Sequence, residues 1–196
     1  DCTRLLGPLV PGTIVPHGAR VPGTTYQLDP ASAAFNIGCL VRWLDYNDTY
    51  IAAQTTHPSD DVGPILAVAD HLSRRSAADG KPPVMMSAVL DAMVRAHEIQ
   101  GVLGRQNALG QYGIDHPLLL KVAASAVVTR LLGGSEQSIV NATSLAFFEP
   151  SLCVHRFGSN TGPRKGWAAA DDARAHGALK QPSCGAGAGD HAHVAG

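Results

Sequence analysis

None of the four cysteines (Cys2, Cys39, Cys153, Cys184) forms a C-x-x-C pair, so a zinc ribbon or ferredoxin-type cluster has no sequence support. There is no charge excess. Fifteen Lys and Arg stand against 16 Asp and Glu, with no basic stripe, so nucleic acid is not an expected partner. No apolar run approaches the roughly 18 residues needed to cross a bilayer, so no membrane partner is expected either. No segment alternates apolar and polar residues for long enough to read as a strand, which argues against a sheet-based fold. No signal or transit peptide is legible; the first residue is Asp1 rather than Met, so the start is expected to lie upstream. What the chain does have is apolar content of 45% over 196 residues, enough for one good core. Cys39 sits in an apolar helical pattern and is expected as a buried thiol, and the cysteine usage reads as that of a reducing compartment.

The organisation reads as mainly α. Residues 1–31 carry five prolines and two Val-Pro-Gly turns and are expected to be extended and irregular. Asp29-Pro30 opens a helix, Asp as cap and Pro in the first turn, continued by Phe35, Ile37, Leu40, Val41 and Leu44. A second helix is expected over 62–75 and a third over 84–103, with Met85, Val89, Met93, Ala96 and Gln100 as one stripe. The methionines are read as core filler. Asp115-His116-Pro117 opens a fourth helix, closed by Gly133-Gly134 and apolar almost all round from Leu118 to Val128. Ser135-Glu136-Gln137-Ser138 starts a fifth helix to Phe148, and a short Ala-rich helix follows over 167–179. Residues 181–196 are Gly/Ala-rich without apolar periodicity and read as a disordered tail. His191 and His193 within it are not read as a metal site, because a flexible segment without further ligands is a poor one.

The chemistry concentrates in residues 43–60, where Asp45, Asp48, Thr49, His57 and Asp60 lie among Trp43, Tyr46 and Tyr50. A solvent loop has no need of such aromatics, and a core has no need of such acids. If the helix continued to Thr49, Asp45 and Thr49 would share a face, with Asp48 beside Asp45. Two carboxylates held close raise one proton affinity, one way to make a general acid or base. The alternative is a helix C-terminus with solvated acids, a position where acids are unfavourable. His57, His116, Arg164 and Lys165 each stand just before an expected helix, where the partial positive charge disfavours cations. Together they describe an anion site suited to carboxylates. The polar run Asn160 to Lys165 is too short and wrongly spaced for a Walker A loop.

Several blocks resemble the MmgE/PrpD family. They include Leu5-Leu6-Gly7-Pro8, Val21-Pro22-Gly23-Thr24, Ala34-Phe35-Asn36-Ile37-Gly38, Arg42 through Thr49 and His57-Pro58-Ser59-Asp60. Others are Ala96 through Gly101, Asp115-His116 and Asn160-Thr161-Gly162-x-Arg164-Lys165-x-Trp167. The resemblance covers residues 3–180 in order. It implies that residues 1–180 are part of that family's large all-helical domain, with its small α+β domain absent from this chain. It implies a homodimer in the full-length form, no cofactor and no metal. The implied reaction is loss of water from 2-methylcitrate to give 2-methyl-cis-aconitate, a step of propionate breakdown, with a small tricarboxylate as partner. The implied location is the cytoplasm of a bacterium or the mitochondrial matrix of a eukaryote.

The family's pocket residues carry over to Asp45, Thr49, His57, His116 and Lys165. His57 and His116 are assigned to proton transfer, with acid and base left open. Asp45 orients a neighbour, Thr49 donates a hydrogen bond, and Lys165 with Arg164 binds a substrate carboxylate. Two further readings are a cis-aconitate decarboxylase-like activity, marked by release of carbon dioxide, and an inactive fragment. Two local departures stand out. The family's usual Trp-Ala-Ala-Gly-Asp-Ala reads Trp167-Ala168-Ala169-Ala170-Asp171-Asp172, and residues 181–196 match nothing, as a frame-shifted end would. The chain alone is expected to be catalytically dead and marginally soluble, with apolar residues of the 118–128 helix left uncovered.

Overall fold

The computed structural model of the chain describes residues 2–148 and 165–172. Its described part holds seven α-helices: α1 (Cys2–Leu5), α2 (Pro30–Arg42), α3 (Val62–Ala78), α4 (Met86–Gln106), α5 (Pro117–Leu131), α6 (Glu136–Phe148) and α7 (Lys165–Asp172). Two short strands, β1 (Ala19–Arg20) and β2 (Gln27–Leu28), pair antiparallel. The fold is mainly α, as the periodicity requires.

The helix starts follow from local chemistry. Asp29 accepts the Ser32 N–H at 3.0 Å, with Pro30 at the first helical position. Ser135 Oγ accepts the Ser138 N–H at 3.2 Å at the start of α6, after Gly133 turns with φ 81°. α5 is buried almost all round because α3, α4, α6 and α7 all pack on it. Val89, Ala92 and Ala96 of α4 meet Ile65, Val68 and Ala69 of α3 and Ala123, Val127 and Val128 of α5 in the largest apolar cluster. A second cluster joins the hairpin residues Ala19, Val21 and Leu28 to Ala33, Ala34 and Ile37 of α2. Cys39 is fully buried, as expected.

α2 and α3 cross very closely. A methyl group at Gly63 would lie 2.8 Å from the Ala34 carbonyl oxygen and 3.1 Å from the Gly38 nitrogen. Gly63→Ala is therefore expected to force the helices apart at a cost of about 1–3 kcal/mol. A thermal melt identical to that of the native chain would refute the close crossing. Gly38 also faces α7, where an added methyl would lie 3.0 Å from Ala170 Cβ. Ala170, standing where the motif usually has Gly, is thus accommodated by a glycine opposite. Phe35 and Trp167 complete this seam edge to face, with ring centroids 6.3 Å apart.

Several expectations change. Residues 1–31 are not irregular throughout: they hold α1 and the hairpin, whose strands are too short for an alternating pattern to show. Thr24 Oγ1 donates to the Val21 carbonyl at 2.8 Å and closes the hairpin turn. α3 runs on to Ala78, and α4 begins at Met86 after Pro82-Pro83. Met85 therefore precedes the helix and is exposed, and the buried stripe is Val89, Ala92, Ala96 and Gln100. α5 is covered by the chain's own helices; exposed apolar residues include Leu90, Val94 and Val102 on α4 and Val140, Leu145 and Phe148 on α6. α7 opens at Lys165, and the expected helix beyond Asp172, Arg164 and the 181–196 tail lie outside the described residues.

Candidate active site

α2 stops at Arg42. Trp43 still bonds back to the Leu40 carbonyl, but Asp45 turns left-handed with φ 55°. Aspartate tolerates that conformation, and Asn47 and Asp48 offer the backbone side-chain alternatives to a helix. The helix thus does not continue to Thr49, and Asp45 and Thr49 share no helical face. The chain doubles back instead, with Tyr50 and Thr56 exchanging backbone hydrogen bonds at 2.9 and 3.0 Å. That return brings His57 beside Thr49. Tyr46 does not close over the polar groups: it is 91% exposed.

The turn is organised around Arg42, which is buried. Its guanidinium lies 3.0 Å from Asp45 Oδ1 and 3.7 Å from Asp60 Oδ2. It donates to Asn47 Oδ1 at 3.3 Å, and Asn47 Nδ2 in turn donates to Asp60 Oδ1 at 3.1 Å. Asp60 and Asp61 belong to a 3₁₀ turn (Pro58–Asp61) that leads into α3, and both are buried. Burial pushes the Asp60 carboxyl up to about 7; Arg42 opposes this, while Asp48 and Asp45 add to it. One guanidinium does not offset burial plus two further carboxylates. Burial also raises Asp61 well above the carboxylate range, against the bond it accepts from Gln100 Nε2 at 2.6 Å.

A stability consequence follows. Asp60 holds its proton up to about pH 7 in the fold but only to 3.8 as an ordinary carboxyl. The stabilising contribution of that proton is full below 3.8 and is lost as the pH rises through about 7. Asp60→Asn cannot lose a proton. The difference in melting temperature, variant minus native, is expected to move in the variant's favour as pH rises across that window. A constant difference would show that Asp60 ionises normally.

His57 stands at the start of the 3₁₀ turn and is half-buried. Its Nδ1 lies 2.8 Å from the Asp48 carbonyl oxygen, an acceptor only, so Nδ1 carries the proton and donates. Thr49 Oγ1 lies 3.4 Å from the same nitrogen. Burial lowers the proton affinity of His57; the bond to the Asp48 carbonyl opposes this, and Arg42 and His116 lower it further. His116 precedes α5 and is buried, with Nδ1 2.9 Å from Asp115 Oδ1. The same oxygen accepts the His116 backbone N–H at 2.8 Å. The two imidazoles, 59 residues apart in sequence, meet edge to face with centroids 5.0 Å apart.

The structure therefore brings Asp45, Thr49, His57 and His116 into one neighbourhood. Lys165 is the first residue of α7, which packs on α2 and α5, the helices adjoining Asp45 and His116. Sequence reasoning did not single out Arg42, Asn47 or Asp115 as site residues. The signals were present: Arg42 is three residues before Asp45, and Asp115 adjoins His116. Neither a cavity of about 390 Å³ beside Arg20 and Asp70 nor one of about 160 Å³ beside Asp61 and His97 is lined by the histidine pair.

Residues 1–178 match the MmgE/PrpD N-terminal domain. Over 171 residues, 87% of the chain, the sequence is 57% identical to 2-methylcitrate dehydratase of Salmonella typhimurium, covering 35% of that protein. It is 49% identical over 173 residues to mitochondrial 2-methylcitrate dehydratase of Yarrowia lipolytica, covering 33% of it. It is 46% identical over 176 residues to alkylcitrate dehydratase phiI of a fungus. The chain spans about a third of the length of the curated relatives it matches.

Proposed function

From the premise that this chain belongs to the MmgE/PrpD family, we propose that it carries the acid–base half of a hydro-lyase site that dehydrates 2-methylcitrate to 2-methyl-cis-aconitate. The observation that supports this most directly is the meeting of His57 and His116, each with Nδ1 already engaged. Loss of water from a β-hydroxy acid needs a base for the carbon proton and an acid for the leaving hydroxyl. Two imidazoles whose Nε2 atoms serve the reaction meet that need without a cofactor. The substrate is a small tricarboxylate, and its carboxylates need cations. Lys165 and Arg164 supply them, and Thr49 donates to a substrate oxygen. Asp45 acts through Arg42, holding the turn that carries Thr49. The full-length form is a homodimer.

The test compares the 196-residue chain with the same chain joined to the remaining two-thirds of the Salmonella relative. The joined form is expected to convert 2-methylcitrate to an unsaturated acid, and the short chain alone to show no turnover. A joined form that leaves 2-methylcitrate untouched but releases carbon dioxide from cis-aconitate would establish the decarboxylase reading instead.

A further inference from the structure

The two histidines differ in what holds them, and the difference divides their labour. We propose that Asp115 is a positioning residue that makes His116 the proton donor of the pair, leaving His57 as the base. This rests on the dehydratase reading given above.

His57 Nδ1 donates to a backbone carbonyl, a neutral acceptor that orients the ring without stabilising a positive charge as a carboxylate would. Around that ring stand Arg42, His116 and Asp45. Arg42 and His116 work against a second proton, and so does the burial of the ring. His116 Nδ1 instead faces a carboxylate at 2.9 Å, and both side chains are almost wholly buried, at 5% and 3% exposure. Burial opposes a second proton on His116 as it does on His57, but the carboxylate against Nδ1 holds the ring in one tautomer and stabilises the imidazolium against that cost. Its position is itself held, because Asp115 Oδ1 also accepts the His116 backbone N–H. In this division of labour Nε2 is the working atom of each ring, a lone pair on His57 and an N–H on His116.

The chemistry then balances. His57 Nε2 takes the proton from the substrate carbon, and the electrons of that C–H bond become the second bond of the alkene. The C–O bond of the neighbouring carbon breaks towards oxygen, which takes the Nε2 proton of His116 and leaves as water. After product release one proton passes from His57 to His116 through solvent, restoring both rings. Asp45 and Asp48 lie close to His57, but their carboxylates are engaged away from it. Asp45 is paired with Arg42, and Asp48 Oδ1 accepts the Ser59 N–H at 3.0 Å.

The experiment is a pH titration of the ring nitrogens by NMR in the ¹⁵N-histidine-labelled 196-residue chain, which needs no turnover. His116 is expected to keep its second proton to a pH about one unit or more above His57, and Asp115→Asn to lower that midpoint by about 1–3 units. The reverse order, or a His116 midpoint unmoved in Asp115→Asn, would overturn the proposal. If the Asn variant does not fold, the order in the native chain still decides. In the joined form, Asp115→Asn is expected to cut kcat about 100-fold at neutral pH and less in acid, with KM nearly unchanged and partial rescue by Asp115→Glu. A loss equal at every pH would assign Asp115 a structural role only. Should the NMR order hold while no form dehydrates 2-methylcitrate, the dehydratase reading fails and the pairing of Asp115 with His116 stands.

Discussion

Replacing Arg42 with methionine is expected to destabilise the chain by about 3 kcal/mol, lowering the melting temperature by roughly 6–12 °C. Methionine fills much of the space of the buried stem but leaves Asp60 and Asn47 facing no cation. The Asp45 end of the network contributes little, because that carboxylate is 41% exposed and solvent screens it. The loss therefore sits at Asp60, whose side chain is only 2% exposed. Arg42 is what holds the Asp60 carboxyl down to about 7, so without it Asp60 takes its proton at a higher pH still, and the cost is expected to shrink as the pH falls towards 7 and the carboxyl becomes neutral in both chains. Paired thermal melts of native and variant chain across that pH range check both statements. A pH-independent loss would place the energy in packing of the stem rather than in charge.

Replacing His57 with alanine in the form that turns over 2-methylcitrate is expected to lower kcat by about 100- to 10,000-fold, the usual contribution of a positioned acid or base. His57 is only half-buried, so the melting temperature should move little. His116→Ala should lose activity on the same scale. The double variant should lose little more than either single one, because proton removal and hydroxyl departure belong to one event. Retention of more than a tenth of kcat in His57→Ala would remove this ring from the chemistry. Additive losses would mean that the rings serve separate steps.

Much of the fold was legible because its signals are local. Asp29-Pro30, Ser135 with Ser138, and Gly133 each mark a helix boundary through bonds made within a few residues. The uninterrupted apolar stretch of α5 could be read as a central helix because no face of it is polar enough to meet water. The hairpin escaped because two-residue strands carry no period. The end of α2 at Arg42 was not legible because it depends on the left-handed φ of Asp45, which no residue pattern displays.

The sequence by itself determined that the chain is mainly α and that it belongs with the MmgE/PrpD proteins, and it pointed to Asp45, Thr49, His57 and His116 as candidates. Only the tertiary structure decided how these groups act on one another. The turn at Asp45 wraps the loop around Arg42, and the packing of the 3₁₀ turn against α5 brings His57 to within 5.0 Å of His116. Caps and periodicity are set by neighbours along the chain and so can be read from it. The proton affinity of a buried carboxyl or imidazole is set by desolvation and by charges that arrive from distant segments. Asp60 looks like an ordinary first-turn acid until α2 closes over it with a single guanidinium.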